Sequence, residues 1–474
     1  MKKTISLLAG LLLSVSLFSH PWKPNHYIII DTDGGIDDMR AITMFLASPD
    51  VRVLAITISP GALNVDSAYS KVKSLLYSFH HEGLPVGINK SARFRSPEFP
   101  VAMNTSWGKG YKSGLNDAPV SDVLIAEIFS YEKTKISFIC LGGMSTAASA
   151  LKNIPAFRDA VKQIIWSSEG ELKKGDFNYS IDRPASESIL KEGIPVKLVS
   201  GFAGERFYDD EMLKSVSLVP GVYSAGIARS FSFSKIGDHE YSYAANDEMV
   251  ALYLHFPDLF KTGHDSLLTP AAEKIQQFRS GALKILAGET VTRNQVIRIF
   301  PENPSFYFED IEPNVSEIIT KHGRDEWVSG VLANELHRHL GTFAIIGVKM
   351  GIRAREYFNT GVDEFSAVSY AGSMPPMSCM NDGLQVSTGA TPGHGLLSVK
   401  NDSPMPVVEF KYMNRRIKLS LKPEITELIT SELKKINFVH GLDSNIYWEL
   451  VRKNSIKYWL ELDRHEIFLI EEIL

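Results

Sequence analysis

The stretch "YIIIDTDGGIDDMRAITMFLA", residues 27–47, decides the fold class. A short apolar run is followed by four carboxylates within eight positions, at Asp31, Asp33, Asp37 and Asp38. The apolar run is typical of a strand buried on both faces, and the apolar spacing after Asp38 is typical of an amphipathic helix. The stretch therefore predicts a strand, a short loop and a helix, with like charges crowded where the strand ends.

The first half of the chain repeats this alternation of apolar runs and amphipathic stretches. Such a pattern predicts an α/β fold, an open and mostly parallel sheet with helices on both faces. Ligands of such sheets bind at the carboxyl ends of the strands, where Asp31, Gly142 and Ser167 follow predicted strands. The predicted strands lie in "YIIID", "VRVLAITIS", "KISFICLGG", "KQIIWSS" and "IPVKLVSG".

The chain divides into a leader, two domains and a linker. Two lysines precede about 14 mostly apolar residues and Ser19, which predicts a signal peptide over residues 1–20 and a secreted or periplasmic protein. An uncleaved anchor is the alternative, but we expect no stable membrane anchor. An α/β domain is predicted over residues 24–310, then a linker over 311–327 and a second domain over 328–474.

The second domain differs from the first in its pattern. Residues 407–422 alternate apolar and polar side chains about a turn near Asn414, which predicts a hairpin. Aromatic residues at helical spacing predict a C-terminal helical tail, so the domain is expected to be α+β. Before the linker, Thr269 and Pro270 have the types of an N-cap and a first-turn proline, which predicts that a helix begins there.

The charge balance disfavours a nucleic-acid partner. The 474 residues include 50 lysines and arginines against 55 aspartates and glutamates, a net charge of −5. A surface that binds nucleic acid needs a basic excess. We therefore expect a small-molecule partner and no nucleic acid.

The crowded aspartates have two explanations. Helix capping and the helix dipole account for one or two carboxylates. A hard cation accounts for all of them, because calcium prefers carboxylate and carbonyl oxygens and keeps neighbouring carboxylates ionised. This region has no dense cluster of histidines or cysteines, which disfavours zinc there. The sequence therefore favours a Ca²⁺ site.

The aspartate motif "DTDGGIDD" resembles the signature of the nucleoside hydrolase family, the calcium-dependent N-ribohydrolases, with Gly34 where a proline is usual. Three later stretches resemble other parts of that family in the same order, so the similarity covers roughly residues 26–310. They are "LGGMSTAASAL" (141–151), "GDFNYSIDRPAS" (175–186) and "YAANDEMVALYLHFPDLF" (243–260).

The resemblance implies a role for each polar residue of these stretches. Asp33 would bind the metal and orient or deprotonate the attacking water, and Asp38 would bind the metal through both oxygens. The remaining ligands would be the Leu141 carbonyl and Asp247, which also borders the substrate. Asp37, Asp176 and Asn178 would hold the ribose hydroxyls. The family also implies a homo-oligomer.

Three departures from the family pattern leave the function open. Asn246 stands where many members have a histidine that protonates the leaving base, and Asp176 replaces a glutamate. Trp107, in a glycine-containing loop, either stacks on the base or packs in the interior. The chain is therefore either a hydrolase that splits ribonucleosides into ribose and a free base, or a non-catalytic protein that binds ribose or nucleosides.

A second resemblance lies in "ELHRHLGTFAIIGVKMGIRARE" and "SCMNDGLQVSTGATPGHGLLSV", within residues 328–422. These stretches resemble the E-type family of formylmethanofuran dehydrogenase proteins, but Gly341 stands where a thiol is usual. His337, His339 and Cys379 remain and could bind Zn²⁺. The alternative is a remnant site on an interaction domain, and a third view of the whole protein makes this metal-binding module its main function.

Overall fold

The structure is a computed structural model of the chain. It describes residues 23–92, 96–109, 115, 118–168, 176–202, 206–232, 243–263, 267–291, 296–297 and 299–473. The predicted signal peptide, residues 1–20, lies outside the described residues.

Eight of the described strands form one twisted sheet with the order β3-β2-β1-β4-β5-β6-β8-β7. All neighbours pair in parallel except β7 and β8, which are antiparallel. This confirms the predicted open and mostly parallel sheet. The strands are β1 (His26–Thr32), β2 (Val51–Ile58), β3 (Val86–Ile88), β4 (Ile136–Cys140), β5 (Val161–Ser168), β6 (Val196–Ser200), β7 (Phe260–Thr262) and β8 (Leu267–Pro270).

Helices cover both faces of this sheet, as the pattern predicts. Successive side chains of a strand point to opposite faces. Ile28 and Ile30 of β1 therefore lie in one apolar core, whereas Ile29 lies in the other. The helices are α1 (Ile36–Ala47), α2 (Val65–Ser78), α3 (Pro100–Asn104), α4 (Ser121–Tyr131), α5 (Ser145–Asn153), α6 (Phe157–Ala160), α7 (Phe177–Ser180), α8 (Arg183–Lys191), α9 (Asp210–Leu218), α10 (Val222–Ser230), α11 (Glu248–His255) and α12 (Ile275–Leu286).

The helix predicted to begin at Thr269 and Pro270 begins later. These two residues end strand β8, and the helix runs over Ile275–Leu286. Leu267 and Leu268 pair with β6, while the rest of β8 pairs with β7. Pairing between distant segments therefore overrides a local helix-start signal.

The second domain has its own sheet, with the order β10-β9-β11-β12-β13, and is α+β as predicted. The predicted hairpin is formed by β11 and β12, which turn at Met413 and Asn414. The strands are β9 (Ser366–Ser369), β10 (Leu397–Val399), β11 (Val407–Tyr412), β12 (Arg415–Leu421) and β13 (Phe468–Ile473); the helices are α13 (Val315–His322), α14 (Arg324–His337), α15 (Thr342–Phe358), α16 (Met380–Thr388), α17 (Pro423–His440) and α18 (Asn445–Glu461).

The predicted linker, residues 311–327, contains helix α13 and the start of α14. Val315 and Ile318 pack in a cluster with Trp327 and Trp459, whose rings stack 5.1 Å apart. This segment is therefore folded against the C-terminal helices. The domain boundaries themselves stay predictions.

Buried polar contacts join the two domains. Arg52 of β2 holds the Glu364 carboxylate with both Nε and Nη2, at 2.6 Å for Nε–Oε2, and the two side chains are only 3% and 9% exposed. Arg353 of α15 donates from Nη2 to Glu82 Oε1 at 2.9 Å. Along the described residues, no helix is long and apolar enough to cross a bilayer.

Candidate active site

The candidate site lies where the strand order reverses direction. β1 runs between β2 and β4, and the chain leaves it toward β2 and β3 on one side and returns at β4 on the other. Open α/β sheets bind ligands outside the carboxyl ends of the strands at such a point. Asp31 pairs with Cys140 across β1 and β4, so the aspartate loop and the loop after β4 meet there.

Asp31 is fully buried beneath the loop and joins β1 to β2. Its carboxylate accepts hydrogen bonds from Thr57 Oγ1 at 2.6 Å and Ser59 Oγ at 2.8 Å. Burial raises the pKa of Asp31 to about 7, although these hydroxyl donors act in the opposite direction. Asp31 therefore holds the strand ends together and does not face the site cavity through a free oxygen.

Asp38 organises the loop that enters α1. Its Oδ1 accepts from Thr32 Oγ1 at 2.6 Å and from the Asp33 amide at 3.1 Å. The Gly34 amide in turn donates to Thr32 Oγ1, and Gly34 has a φ of 83°, which favours glycine. Burial and the charge of Asp37 raise the pKa of Asp38.

Three carboxylates converge at this point. Asp37, Asp38 and Asp247 bring one oxygen each within 4.8 Å of one another. Asp247 is the N-cap of α11 and is 3% exposed. Its pKa is raised well above the usual value by burial, and then by the negative charges of Asp37 and Asp38. Such a cluster repels itself, and a cation bound there would relieve the repulsion.

Asp33 lies beside this cluster in a space made by two glycines. A Cβ added at Gly61 would lie 2.0 Å from Asp33 Oδ2, and one at Gly142 would lie 2.8 Å from it. Asp33 is 2% exposed, and burial followed by the charge of Asp38 raises its pKa well above the usual value. It is not in the group of three, so its predicted metal ligation stays a prediction, as does the ribose role of Asp37.

Asp176 and Asn178 hold the opposite wall. Asp176 caps α7 by accepting from the Tyr179 amide at 2.9 Å, and it also accepts from Ser168 Oγ at 2.7 Å. Asn178 donates from Nδ2 to the Leu141 carbonyl at 2.8 Å. The Leu141 carbonyl therefore faces Asn178, and the predicted metal and ribose residues are contiguous here.

Asn246 contacts the cluster through Asp37. Its Nδ2 donates to Asp37 Oδ2 at 3.1 Å. A Cβ at Gly201 would lie 2.2 Å from Asn246 Oδ1, so Gly201 makes room for this side chain. An amide in this position can hold Asp37 but has no proton to give to a leaving base.

Trp107 packs in the interior of the first domain. It is 4% exposed and belongs to the apolar core that contains Ile28 and Ile30. Its carbonyl accepts from Ser78 Oγ at 3.1 Å. A ring buried in this way offers little surface to a base, so stacking on substrate stays a prediction.

A buried ion pair supports the site and was not found from the sequence. Arg40 of α1 and Glu248 of α11 are both unexposed, with 3.5 Å between Nη1 and Oε1. The Arg40 guanidinium also lies 4.0 Å from the Phe231 ring centre and donates to Ser230 Oγ. The pair fixes α1, which carries Asp37 and Asp38, against α11. The available signal was an arginine in an otherwise apolar helix.

The predicted second metal site is partly assembled. Helix α14 ends at His337, and Arg338 takes a φ of 68°, which turns the chain so that the rings of His337 and His339 lie 4.1 Å apart. His337 Nδ1 lies 2.7 Å from Asp382 Oδ2. Burial raises the pKa of Cys379 to about 11, and this cysteine is in neither group of three ligand-type side chains that the described residues form. A zinc site here stays a prediction.

Family comparisons match both parts of the chain. Residues 28–320 match the family model described as inosine-uridine preferring nucleoside hydrolase. Residues 336–468 match the model described as FmdE, molybdenum formylmethanofuran dehydrogenase operon. Both resemblances inferred from the motifs are thereby confirmed.

Individual relatives match the first part only over limited lengths. The inosine-uridine preferring nucleoside hydrolase of Leishmania major is 25% identical over 187 residues, which is 36% of this chain and 59% of that protein. The probable uridine nucleosidase 1 of rice is 24% identical over 247 residues, 49% of this chain and 75% of that protein. A solved purine-preferring ribonucleoside hydrolase from Gardnerella vaginalis aligns with 56% of this chain and 99% of its own, at 15% identity and a TM-score of 0.42.

Proposed function

The chain belongs to the inosine-uridine preferring nucleoside hydrolase family, and from this premise we propose that it hydrolyses the N-glycosidic bond of ribonucleosides to give ribose and a free base. One observation carries the proposal. A buried trio of carboxylates, with Asp33 beside it and Asp176 and Asn178 across from it, lies at the switch point of the sheet.

The donor set fits a calcium ion. Asp38 and Asp247 are buried, and the largest charges acting on Asp247 are negative, so a divalent cation would offset an energetic cost of folding. Oxygen-only donors select a hard cation. We propose that Asp33, Asp38, Asp247 and the Leu141 carbonyl hold Ca²⁺, with Asp37 able to replace one of them. When bound, this ion lowers the pKa of a coordinated water.

The side chains then divide the chemistry between them. Asp33, held between Gly61 and Gly142, accepts the proton of the attacking water. Positive charge develops on the sugar as the N-glycosidic bond breaks, and the surrounding carboxylates stabilise it. Asp37, Asp176 and Asn178 hold the ribose hydroxyls and keep C1′ in line with the water. Burial of the site strengthens each of these electrostatic interactions.

Calcium dependence is tested by chelation of the full chain. We expect EGTA to lower the melting temperature and calcium to restore it, because a ligand that binds only the folded state stabilises that state. The double variant Asp38→Asn, Asp247→Asn should lose this response. Asp66→Asn, at an exposed position in the first turn of α2, is the matched control and should keep it. An unchanged melting temperature and no calcium in the purified wild type would contradict the assignment.

Asn246 predicts a preference for substrates with good leaving groups. Without an acid at this position the base must depart with little help, so a nitrophenyl riboside should be cleaved faster than inosine or uridine. We expect Asn246→His to narrow that gap, because a positioned acid contributes about 10²- to 10⁴-fold and a histidine here would supply part of it. Relative kcat/KM values for the substrates measure the effect.

The same measurement separates the hydrolase from a binding protein. If the wild type binds ribose but cleaves no substrate, and Asn246→His cleaves none either, the chain is a nucleoside-binding protein. The amide contact from Asn246 to Asp37 is the feature that favours this second function. Asn153→His, at an exposed residue near the end of α5, is the control for an added imidazole.

The remaining proposals concern the setting of the reaction. We propose a secreted or periplasmic homo-oligomer that acts on small nucleosides or ribosides. Its second domain would serve as an interaction module, with His337 and His339 as the remnant of a metal site or as ligands of Zn²⁺.

A further inference from the structure

We propose that His26, Asp50 and His255 form a second cation site, specific for zinc-type divalent ions, at the end of the sheet away from the aspartate cluster. The three side chains bring one ligand atom each within 4.8 Å of one another. His26 opens β1, whereas the aspartates follow its last residue. Seven residues of strand separate the two places, roughly 23 Å at 3.3 Å per residue.

The carboxylate is oriented toward the histidines. Asp50 Oδ1 accepts from the Asn25 amide at 3.0 Å and from Asn25 Nδ2 at 2.8 Å. Oδ2 lies on the other side, 3.8 Å from His26 Nε2. The two hydrogen bonds from Asn25 therefore fix the plane of the carboxylate and present its second oxygen to the site.

His255 supplies a nitrogen that the described residues leave unused. Its Nε2 is buried and has no hydrogen-bond partner among them. Its ring meets that of His26 edge to face, with centroids 5.8 Å apart. Buried polar atoms without partners are rare, and each one indicates strain, a bound water or a bound ion. Since a carboxylate and a second imidazole converge on the same place, an ion accounts for all three side chains.

The donor types select the metal. Two imidazole nitrogens and one carboxylate oxygen suit zinc and similar transition metals, whereas calcium prefers oxygen alone. Zinc bonds of about 2.0–2.2 Å in a tetrahedron put ligand atoms roughly 3.4 Å apart. The observed 3.8 Å between His26 Nε2 and Asp50 Oδ2 needs only a small rotation to reach this.

The surroundings allow a cation to enter and stay. The His26 side chain is 25% exposed, which gives access and a place for a water as fourth ligand. His255 is the last residue of α11, where the negative end of the helix dipole favours a cation. Burial lowers the pKa of both imidazoles, which keeps them in the neutral form that binds metal. Lys162 is a nearby opposing charge, and it acts on His26 less strongly than Asp50 does.

The site would anchor the helix that carries an active-site residue. Asp247 caps the start of α11 and His255 ends it, eight residues later, about 12 Å at 1.5 Å per residue. A metal at His255 ties this helix to β1 and to the turn before β2. Zinc would thus hold Asp247 in place from the far end of α11.

The test is zinc binding by the full chain. Protein stripped of metal is given excess calcium to occupy the aspartate cluster and then titrated with Zn²⁺, with bound zinc counted by mass spectrometry. We expect the wild type to bind zinc, and Asp50→Asn and His255→Gln to bind it at least about tenfold more weakly, since even residues behind metal ligands contribute 10- to 100-fold. Co²⁺ in place of zinc should give the absorption of a tetrahedral site in the wild type only.

Two controls give each outcome a meaning. His440→Gln changes the last residue of α17, as His255→Gln does for α11, and should bind zinc normally. The pair His337→Gln, His339→Gln reports on the second domain. Zinc lost only with this pair, zinc bound equally by Asp50→Asn and the wild type, or no zinc bound at all would overturn the proposal. If His255→Gln does not fold, His26→Gln, at a partly exposed position, replaces it.

Discussion

Replacing Asp33 by asparagine should remove hydrolysis while leaving the fold intact. The change is isosteric, so the space between Gly61 and Gly142 stays filled. An amide cannot accept the proton of the attacking water, and we expect kcat to fall by about 10²- to 10⁴-fold or more. Steady-state rates on the best substrate, with circular dichroism as a check on folding, measure this.

Asp66→Asn is the control for Asp33→Asn, because it makes the same chemical change at an exposed position on α2. It should keep the wild-type rate. Turnover within a few-fold of wild type in Asp33→Asn would remove Asp33 from the mechanism. The site would then have to take its base from another carboxylate, of which Asp37 is the nearest alternative.

Replacing Lys349 by methionine should strongly destabilise the second domain. Lys349 and Glu326 are both unexposed, with 2.5 Å between Nζ and Oε1, and Arg464 Nη1 lies 3.1 Å from the other oxygen of Glu326. Removing one partner of a buried pair leaves an uncompensated charge, which costs about 3–5 kcal/mol. Urea unfolding of the full chain, followed by the fluorescence of the buried Trp327 and Trp459, measures the loss.

Two further variants isolate the cause of this loss. Lys457→Met breaks an exposed pair with Glu432, whose side chains are 43% and 30% exposed, and should cost no more than about 1 kcal/mol. Glu326→Gln combined with Lys349→Met removes both charges and should be more stable than the sum of the single changes. Equal costs for Lys349→Met and Lys457→Met would show that the buried pair has no special weight.

The sheet was predictable because its signals are local. Buried parallel strands need continuous apolar runs, and β1, β2, β4, β5 and β6 all lie in runs of this kind. Strand β8 was missed because its pairing with β6 and β7 is decided by distant segments, whereas Thr269 and Pro270 carry a helix-start signal.

The site was predictable only in part, for the same reason. Asp33, Asp37 and Asp38 are adjacent in sequence, but Asp247 entered only through the family resemblance. Its convergence with Asp37 and Asp38 depends on how α11 packs on α1. That packing uses the Arg40–Glu248 pair, which no local pattern marks. The trio of His26, Asp50 and His255 was likewise invisible, because its members are far apart along the chain.

The contact between Arg52 and Glu364 bears on how such a fusion can be inherited or re-engineered. A guanidinium that is 3% exposed in the joined protein would face water without its carboxylate if the second domain were lost. β2 would then carry an arginine suited to a partner that no longer exists. Position 52 is therefore a marker of the fusion, and grafting the second domain onto another hydrolase would require its counterpart of this arginine as well.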